Sequence, residues 1–351
     1  MEFRAAPQGR GDLASTRRDA AAFMDSLPVT NIHGAIGRKS AIVRWTKVGQ
    51  DQCLVADQNI KKGAFDEAIE AWLCALTAFE VARRLTDESD AQGGEGAAKV
   101  EANIQRFSLL LDQHVERIKI ARCDETEFLG YYFPARRAGA CSPALICISH
   151  EQETGAILLG RLLPVLFGRG MSVLAISHED VSSRSRGQSE ISLSYCLDFL
   201  SVQAGVDPTR IGVYGDGLSA IIATDFAASD RRVCAAVCDG GLWNWTRTLA
   251  SIAWMTRAAD AMEADVVPMR RSQLVRRVRC PVLVVAGGRG IVSVPEAIKM
   301  QADCIAAGID LQLVMPHMIR VPREEEVENF VISDNCIFEW LEQKLARTSS
   351  S

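Results

Sequence analysis

The stretch that most constrains the chain is Arg210-Ile211-Gly212-Val213-Tyr214-Gly215-Asp216-Gly217-Leu218-Ser219-Ala220. A short apolar strand enters a tight glycine turn and leaves at once in a helix of small residues, Leu218 to Ala228. That is the form of a nucleophile elbow, in which a strained strand-to-helix turn lifts one side chain above a parallel sheet. The elbow pattern is G-x-S-x-G, and on Gly215-Asp216-Gly217-Leu218-Ser219 the nucleophile's place falls to Gly217. The turn is kept, and the side chain that would attack is not.

Around this turn the hydrophobic period changes along the chain. Asp12 to Leu27 has helical spacing (Leu13, Ala20, Phe23, Met24), ended by Pro28. Ala41 to Val55 is undecided between states, whereas Lys61 to Arg84 carries one apolar stripe, Phe65, Ile69, Trp72, Leu76 and Phe79. A Gly-, Ser- and Asp-rich loop, Thr86 to Ala98, precedes a further helix with Val100, Ile104, Phe107 and Leu111 on one face. From Val115 strands begin: Val115–Ala121, Glu127–Phe133, Pro143–Ser149, Ser172–Ser177, Arg210–Tyr214, Val233–Cys238, Pro281–Ala286 and Gln312–Met315. Helices separate them near Thr154–Phe167, Ile191–Ala204, Leu218–Ala228 and Pro295–Ala307, and Val327–Ala346 closes the chain. Near-continuous apolar strands alternating with helices predict an α/β fold, a mostly parallel sheet covered on both faces. The predicted organisation is an N-terminal helical domain over residues 1–112 and an α/β core over 113–351. A helical, lid-like insertion over 242–279 contains Trp243, Trp245 and Trp254.

In such a sheet ligands bind beyond the carboxyl ends of the strands. Three of the five histidines fall there: His150, His178 and His317. Two carboxylates do likewise, Asp216 in the elbow and Asp239 after Val233–Cys238. Any one of them is accounted for equally well by the solvation of loops; five on one rim point to a site. Ile148-Ser149-His150-Glu151 and Ile176-Ser177-His178-Glu179 also echo one another. Trp243 and its neighbours are explained as well by helix packing as by a substrate pocket. Arg184, Arg186 and Ser189 read as a solvated loop.

From about Val115 onward, the order of elements and the turn at Gly215–Ser219 resemble the α/β-hydrolase superfamily. The helical front and the insertion after Asp239 are similar to its two-domain branch, that of 2,6-dihydroxypseudooxynicotine hydrolase. The resemblance implies a nucleophilic Ser at the elbow, an acid after a late strand and a His near the end. Only the last is matched, by His317 in Met315-Pro316-His317-Met318; the acid's loop reads Gly287-Gly288-Arg289-Gly290-Ile291 and has no carboxylate. Part of the superfamily carries its acid after an earlier strand, which makes Asp239 the candidate partner of His317. Such a pair is a general base without a nucleophile and suits elimination.

The expected catalytic residues are therefore His317, Asp239 and Asp216. The expected substrate-binding residues are His150, Glu151, Gly217, Leu218, His178 and Trp243, with backbone N–H groups at Leu218 and near Glu151 steadying an enolate. Enzymes of tetronate and spirotetronate polyketide biosynthesis, which expel acetate from an O-acetylated tetronate, are the members this combination most resembles. Two other readings stand beside this lyase: a hydrolase that activates water, and a catalytically inactive protein binding a ligand on the same rim.

A net charge of -5 argues against nucleic acid and anionic membranes as partners. Eleven scattered cysteines without a C-x-x-C pair predict buried thiols of a reducing compartment, neither disulfides nor a zinc site. With no apolar leader or membrane-length run, the expected location is the cytoplasm. A small-molecule substrate is the expected partner, no cofactor or metal is called for, and a homodimer is left open.

Overall fold

The computed structural model describes residues 12–27, 34–86, 102, 115–122, 126–135, 141–182, 186–240, 278–286, 298, 301–302, 304–306, 308–315, 318–320 and 326–346. The chain divides into two compact units. One comprises residues 1–116, 156–169 and 317–338, the other residues 117–155, 170–316 and 339–351.

In the first unit, helix α1 (Leu13–Asp25) starts where the Asp12 carboxylate accepts from the Ser15 N–H at 2.6 Å, an N-cap that satisfies one of the helix's orphan donors. Helix α2 (Gly34–Lys61) takes in the whole of Ala41–Val55, which the sequence leaves undecided. It ends at Gly63, whose φ of 73° lets the chain turn into α3 (Phe65–Arg84). The single stripe expected on α3 is corrected here. Phe65 is 50% exposed, while the residues from Ala71 to Ala82 are buried all round the helix. Ala71, Cys74, Ala75, Ala78 and Ala82 between the large side chains are small enough for neighbours to approach on every side. Ala20, Phe23, Met24, Trp45, Val81, Leu85, Phe330 and Val331 form this unit's core. A two-stranded antiparallel ribbon, β9 (Met318–Arg320) with β10 (Glu326–Glu328), also belongs to it. The sequence reading assigns these short segments to no strand.

The second unit holds the sheet. Its strands are β1 (Glu116–Ala121), β2 (Glu127–Phe133), β3 (Ser142–Ile148), β4 (Ser172–Ile176), β5 (Val206–Asp216), β6 (Val233–Asp239), β7 (Val282–Val285) and β8 (Leu311–Val314). They lie in the order β1-β2-β4-β3-β5-β6-β7-β8; β2 is antiparallel to β4, and every pair from β4 to β8 is parallel. This is the predicted mostly parallel sheet. Buried apolar side chains run through all seven positions of β3 apart from Ser142 and Pro143, and through β4 apart from Ser172, as a sheet covered on both faces requires.

The helices along this part of the chain are α4 (Gly155–Leu166), the single turn α5 (His178–Val181), α6 (Arg186–Ser201), α7 (Ser219–Ser229) and α8 (Phe330–Lys344). Helix α6 begins five residues before Ile191, so Ser189 is a buried helical residue and not part of a solvated loop. The helix expected over Val100–Leu111, the insertion with its tryptophans, and most of the Pro295–Ala307 helix lie outside the described residues.

The described cysteines are free thiols. Cys147, Cys196 and Cys238 are buried as expected, but Cys234 is only half-buried and Cys141 is exposed. Burial holds the Cys74 thiol up at about 11 and Cys238 at about 12, so these sulfurs stay protonated and pack as small hydrophobes. Among the described residues no helix is long and apolar enough to cross a membrane.

Candidate active site

The register of the sheet decides which strand ends meet. Ile148 of β3 pairs with Ile176 of β4 and with Gly215's strand on its other side, while Asp216 of β5 pairs with Asp239 of β6. The chain therefore leaves β3, β4, β5 and β6 on one edge of the sheet and at one level. The two echoing tetrapeptides come to lie side by side there, each following one of a pair of register partners. His150 and Glu151 follow β3, His178 follows β4, Gly217 and Leu218 follow β5, and Asp239 ends β6.

The turn between β5 and α7 is built for close approach. A Cβ on Gly215 would collide with the carbonyl of Ser219, so the incoming strand can pass beneath the first turn of α7 only without a side chain. Gly217 has φ +60°, the left-handed region in which a serine nucleophile would be strained and glycine is at ease. Its N–H donates to the Asp239 carbonyl at 2.8 Å, which ties the turn to the end of β6.

What lies against Gly217 is the site's main feature. A Cβ on Gly217 would overlap His150 Cδ2 and lie 2.8 Å from Glu151 Oε2 and 2.9 Å from His150 Nε2. An imidazole and a carboxylate thus fill the space that an elbow serine would take. The Leu218 N–H, the donor that an oxyanion hole of this geometry would use, gives its hydrogen to Glu151 Oε2 at 3.1 Å. His150 Nε2 lies 3.3 Å from the same oxygen. The Leu218 N–H and the His150 ring therefore converge on one carboxylate. His150 is 6% exposed, while the Glu151 side chain is 28% exposed.

His178 is held differently. Its Nδ1 stands 2.7 Å from Ser219 Oγ, and that hydroxyl donates to the Ser149 carbonyl at 2.6 Å. Its backbone N–H donates to Ser149 Oγ at 3.1 Å. Burial, the largest influence, pushes the His178 pKa down; Glu151 and Glu179 oppose the shift and His150 adds to it. The ring is thus favoured neutral at pH 7.

Asp239 and Asp216 are both buried. The Asp239 carboxylate accepts from the Tyr214 hydroxyl at 2.7 Å, a hydrogen bond wholly inside the sheet's cover. His150, Glu151, Gly217, Leu218 and His178, selected from the sequence as substrate-binding, are brought together on one rim, with Asp216 and Asp239 at the neighbouring strand ends. His317 and Trp243 lie outside the described residues. Sequence reasoning misses Ser219 and Tyr214. Ser219, expected only as part of the helix that leaves the turn, is helical and has its hydroxyl 2.7 Å from His178 Nδ1. The echo of the two Ile-Ser-His-Glu segments is the signal that could have found it, since adjacent echoing ends need a hydrogen-bond partner between them. Among the described residues, no three His, Cys, Asp or Glu side chains are grouped to hold a metal ion.

No family model matches the chain. An uncharacterized protein of Mycobacterium tuberculosis, found in strains CDC 1551 and H37Rv, is 28% identical over 199 residues. That match covers 53% of this chain, which spans 66% of the length of that relative. Among solved structures, 2,6-dihydroxy-pseudo-oxynicotine hydrolase superposes over 93% of this chain and 95% of its own, with a TM-score of 0.59 at 17% identity. An acylaminoacyl peptidase of Pyrococcus horikoshii superposes over 70% of this chain and 44% of its own, with a TM-score of 0.52 at 13% identity. The sheet order, the elbow between β5 and α7 and these superpositions agree: the chain has the α/β-hydrolase fold.

Proposed function

We propose that this chain is an enzyme that uses the α/β-hydrolase scaffold without a covalent nucleophile, moving protons between a rim histidine and a small-molecule substrate. One observation carries the reading: the nucleophile's place is filled by the His150 imidazole and the Glu151 carboxylate. A pseudo-hydrolase that had merely lost its serine would leave a void or an apolar plug there. Instead, titratable groups and an N–H donor converge at the spot where a substrate oxygen would sit.

Elimination suits this arrangement. A base takes the proton α to a carbonyl, and the C–H electron pair becomes an enolate whose oxygen the rim donors hold. The enolate then re-forms its carbonyl as a C=C bond forms and the adjacent C–O bond breaks, releasing a carboxylate. Expulsion of acetate from an O-acetylated tetronate is the instance to which the sequence resemblance leads. His317, paired with Asp239, is the base proposed from sequence. Hydrolysis by activated water is the second reading, in line with the two superposed proteins, a hydrolase and a peptidase.

The test is product analysis. Incubation with O-acetylated tetronates should give loss of acetic acid by mass; the deacetylated alcohol would replace this reading with hydrolysis. Substituting the proton-abstracting histidine should lower kcat by about 10²–10⁴. His317→Ala at full activity would remove His317 from the role.

A further inference from the structure

We infer that the hydrogen bonds of the rim fix its two described histidines in opposite tautomers, His178 as the proton acceptor through Nε2 and His150 as an oxyanion donor through Nε2–H. Ser219 is the positioning residue that sets the first. This deepens the reading above by placing the base at His178 in place of His317, and it rests on that reading for its chemistry, though not for its geometry.

The polarity follows from groups that have no choice. The Ser149 carbonyl can only accept, so its 2.6 Å contact with Ser219 Oγ uses the one hydroxyl proton of Ser219. Ser219 then meets His178 Nδ1 with a lone pair, and the proton of that 2.7 Å bond must come from the ring. The neutral imidazole consequently keeps its lone pair on Nε2. Ser149 is polarised the same way, since its own hydroxyl lies 2.6 Å from the Glu153 carbonyl and 3.0 Å from that of His150. At His150 the order is reversed. The Gln152 N–H donates to Nδ1 at 3.4 Å, so in the neutral ring the hydrogen sits on Nε2, the atom beside Glu151 Oε2.

The pair has the division of labour that proton abstraction next to a carbonyl requires. Environments that drive two like groups to opposite states mark which is base and which is donor. Burial, the presence of His150 and the opposing carboxylates of Glu151 and Glu179 together leave His178 more easily deprotonated than an ordinary histidine. Glu151, accepting from both Leu218 N–H and His150, occupies the place of the substrate oxyanion and must yield it on binding. The ligand class is accordingly a small molecule that presents a carbonyl, developing enolate character, to these two donors.

The measurement is two-bond ¹H–¹⁵N correlation spectroscopy of the full-length protein with labelled histidine, whose five rings are assignable from single His→Gln variants. The expected spectrum has His178 protonated on Nδ1 with a lone pair on Nε2, His150 protonated on Nε2, and a His178 titration midpoint below that of a free histidine. Ser219→Ala should scramble the His178 tautomer, and Ser219→Cys, the safer variant for folding, should weaken its preference. An Nε2–H tautomer for His178 in the wild-type chain, or an imidazolium persisting above pH 7, would overturn the inference without any variant. An unchanged His178 tautomer in the Ser219 variants would also overturn it. With substrate, His178→Gln should lose about 10²–10⁴ in kcat and leave KM near its original value. Hydrolytic products with the expected spectrum would sink the elimination reading alone; an active His178→Gln protein would remove His178 as the base.

Discussion

The protein buries charge and polarity in two places, and they are built on different plans. In the helical unit, Arg161 and Asp334 form an ion pair at 3.2 Å with side chains 2% and 1% exposed, and Glu80 holds Arg84 and Arg83 at 2.8 Å each. Arg17 lies near by, close enough to pull on Asp334 and bonded to Asn335 at 2.9 Å. Apart from the Arg17–Asn335 bond, each of these partnerships joins opposite charges on helices. On the rim of the sheet the partners are backbone carbonyls, backbone N–H groups and side chains whose protons can move. The first plan locks residues together, because separating a buried pair strands a charge. The second holds single side chains in one protonation state while leaving an atom able to react. Burial of polar groups alone therefore does not mark a site. What sets the rim apart is the convergence of an N–H and an imidazole on one partly exposed carboxylate at the ends of parallel strands.

This comparison can be broken most forcefully in the helical unit. Asp334→Ala should cost about 3–5 kcal/mol, read as a fall in the denaturation midpoint, because Arg161 would keep its burial and lose this carboxylate. Its pH dependence has a definite sign. Burial, against the pull of Arg161, Arg17 and Arg84, lifts the Asp334 pKa to about 6 from a usual value of 3.8. Between these values the folded chain binds the proton that the unfolded chain has released, so this group's contribution to stability declines as pH rises through that window. Above it the loss is complete. Asp334→Asn should flatten that slope in urea titrations at several pH values.

A smaller effect is expected at the elbow. Gly217→Ser places a β-carbon at φ +60° and against His150, at a cost of about 1–3 kcal/mol. It should show no esterase activity on a nitrophenyl ester, since its hydroxyl would have to displace the imidazole. Adding His150→Ala should return part of the lost stability. If the single variant is as stable as the wild type, the filled-elbow geometry is wrong. The smallest change belongs to an exposed pair on the edge of the same sheet. Lys119 and Glu127 meet at 2.8 Å with side chains 69% and 48% exposed. Lys119→Ala should shift stability by no more than about 1 kcal/mol, and a larger shift would mean that pairing and not burial governs the ionic contacts here.

Much of this was legible in the chain because the signals are local. Apolar runs place β3, β4, β6 and β7 to within one residue, since a strand covered on both faces has few polar positions to disguise it. β5 departs further: it starts at Val206, five residues before its apolar run begins at Ile211, and passes through Asp207, Thr209 and Arg210. There, tertiary pairing and the Asp207 contacts with Thr209 and Arg210 override composition. Likewise the glycine at the nucleophile's position can be read directly, because a turn that needs φ above zero is a property of a few adjacent residues.

Local pattern was enough to place the sheet and the Gly215-Asp216-Gly217 turn, each of which depends on short-range spacing or on the identity of one residue. What packs against Gly217, and which histidine faces which partner, came from long-range contacts. His150, His178 and Ser219 are separated by 28 to 69 positions and meet through strand register alone. A ring's tautomer is set by atoms about 3 Å away, whatever their distance along the chain.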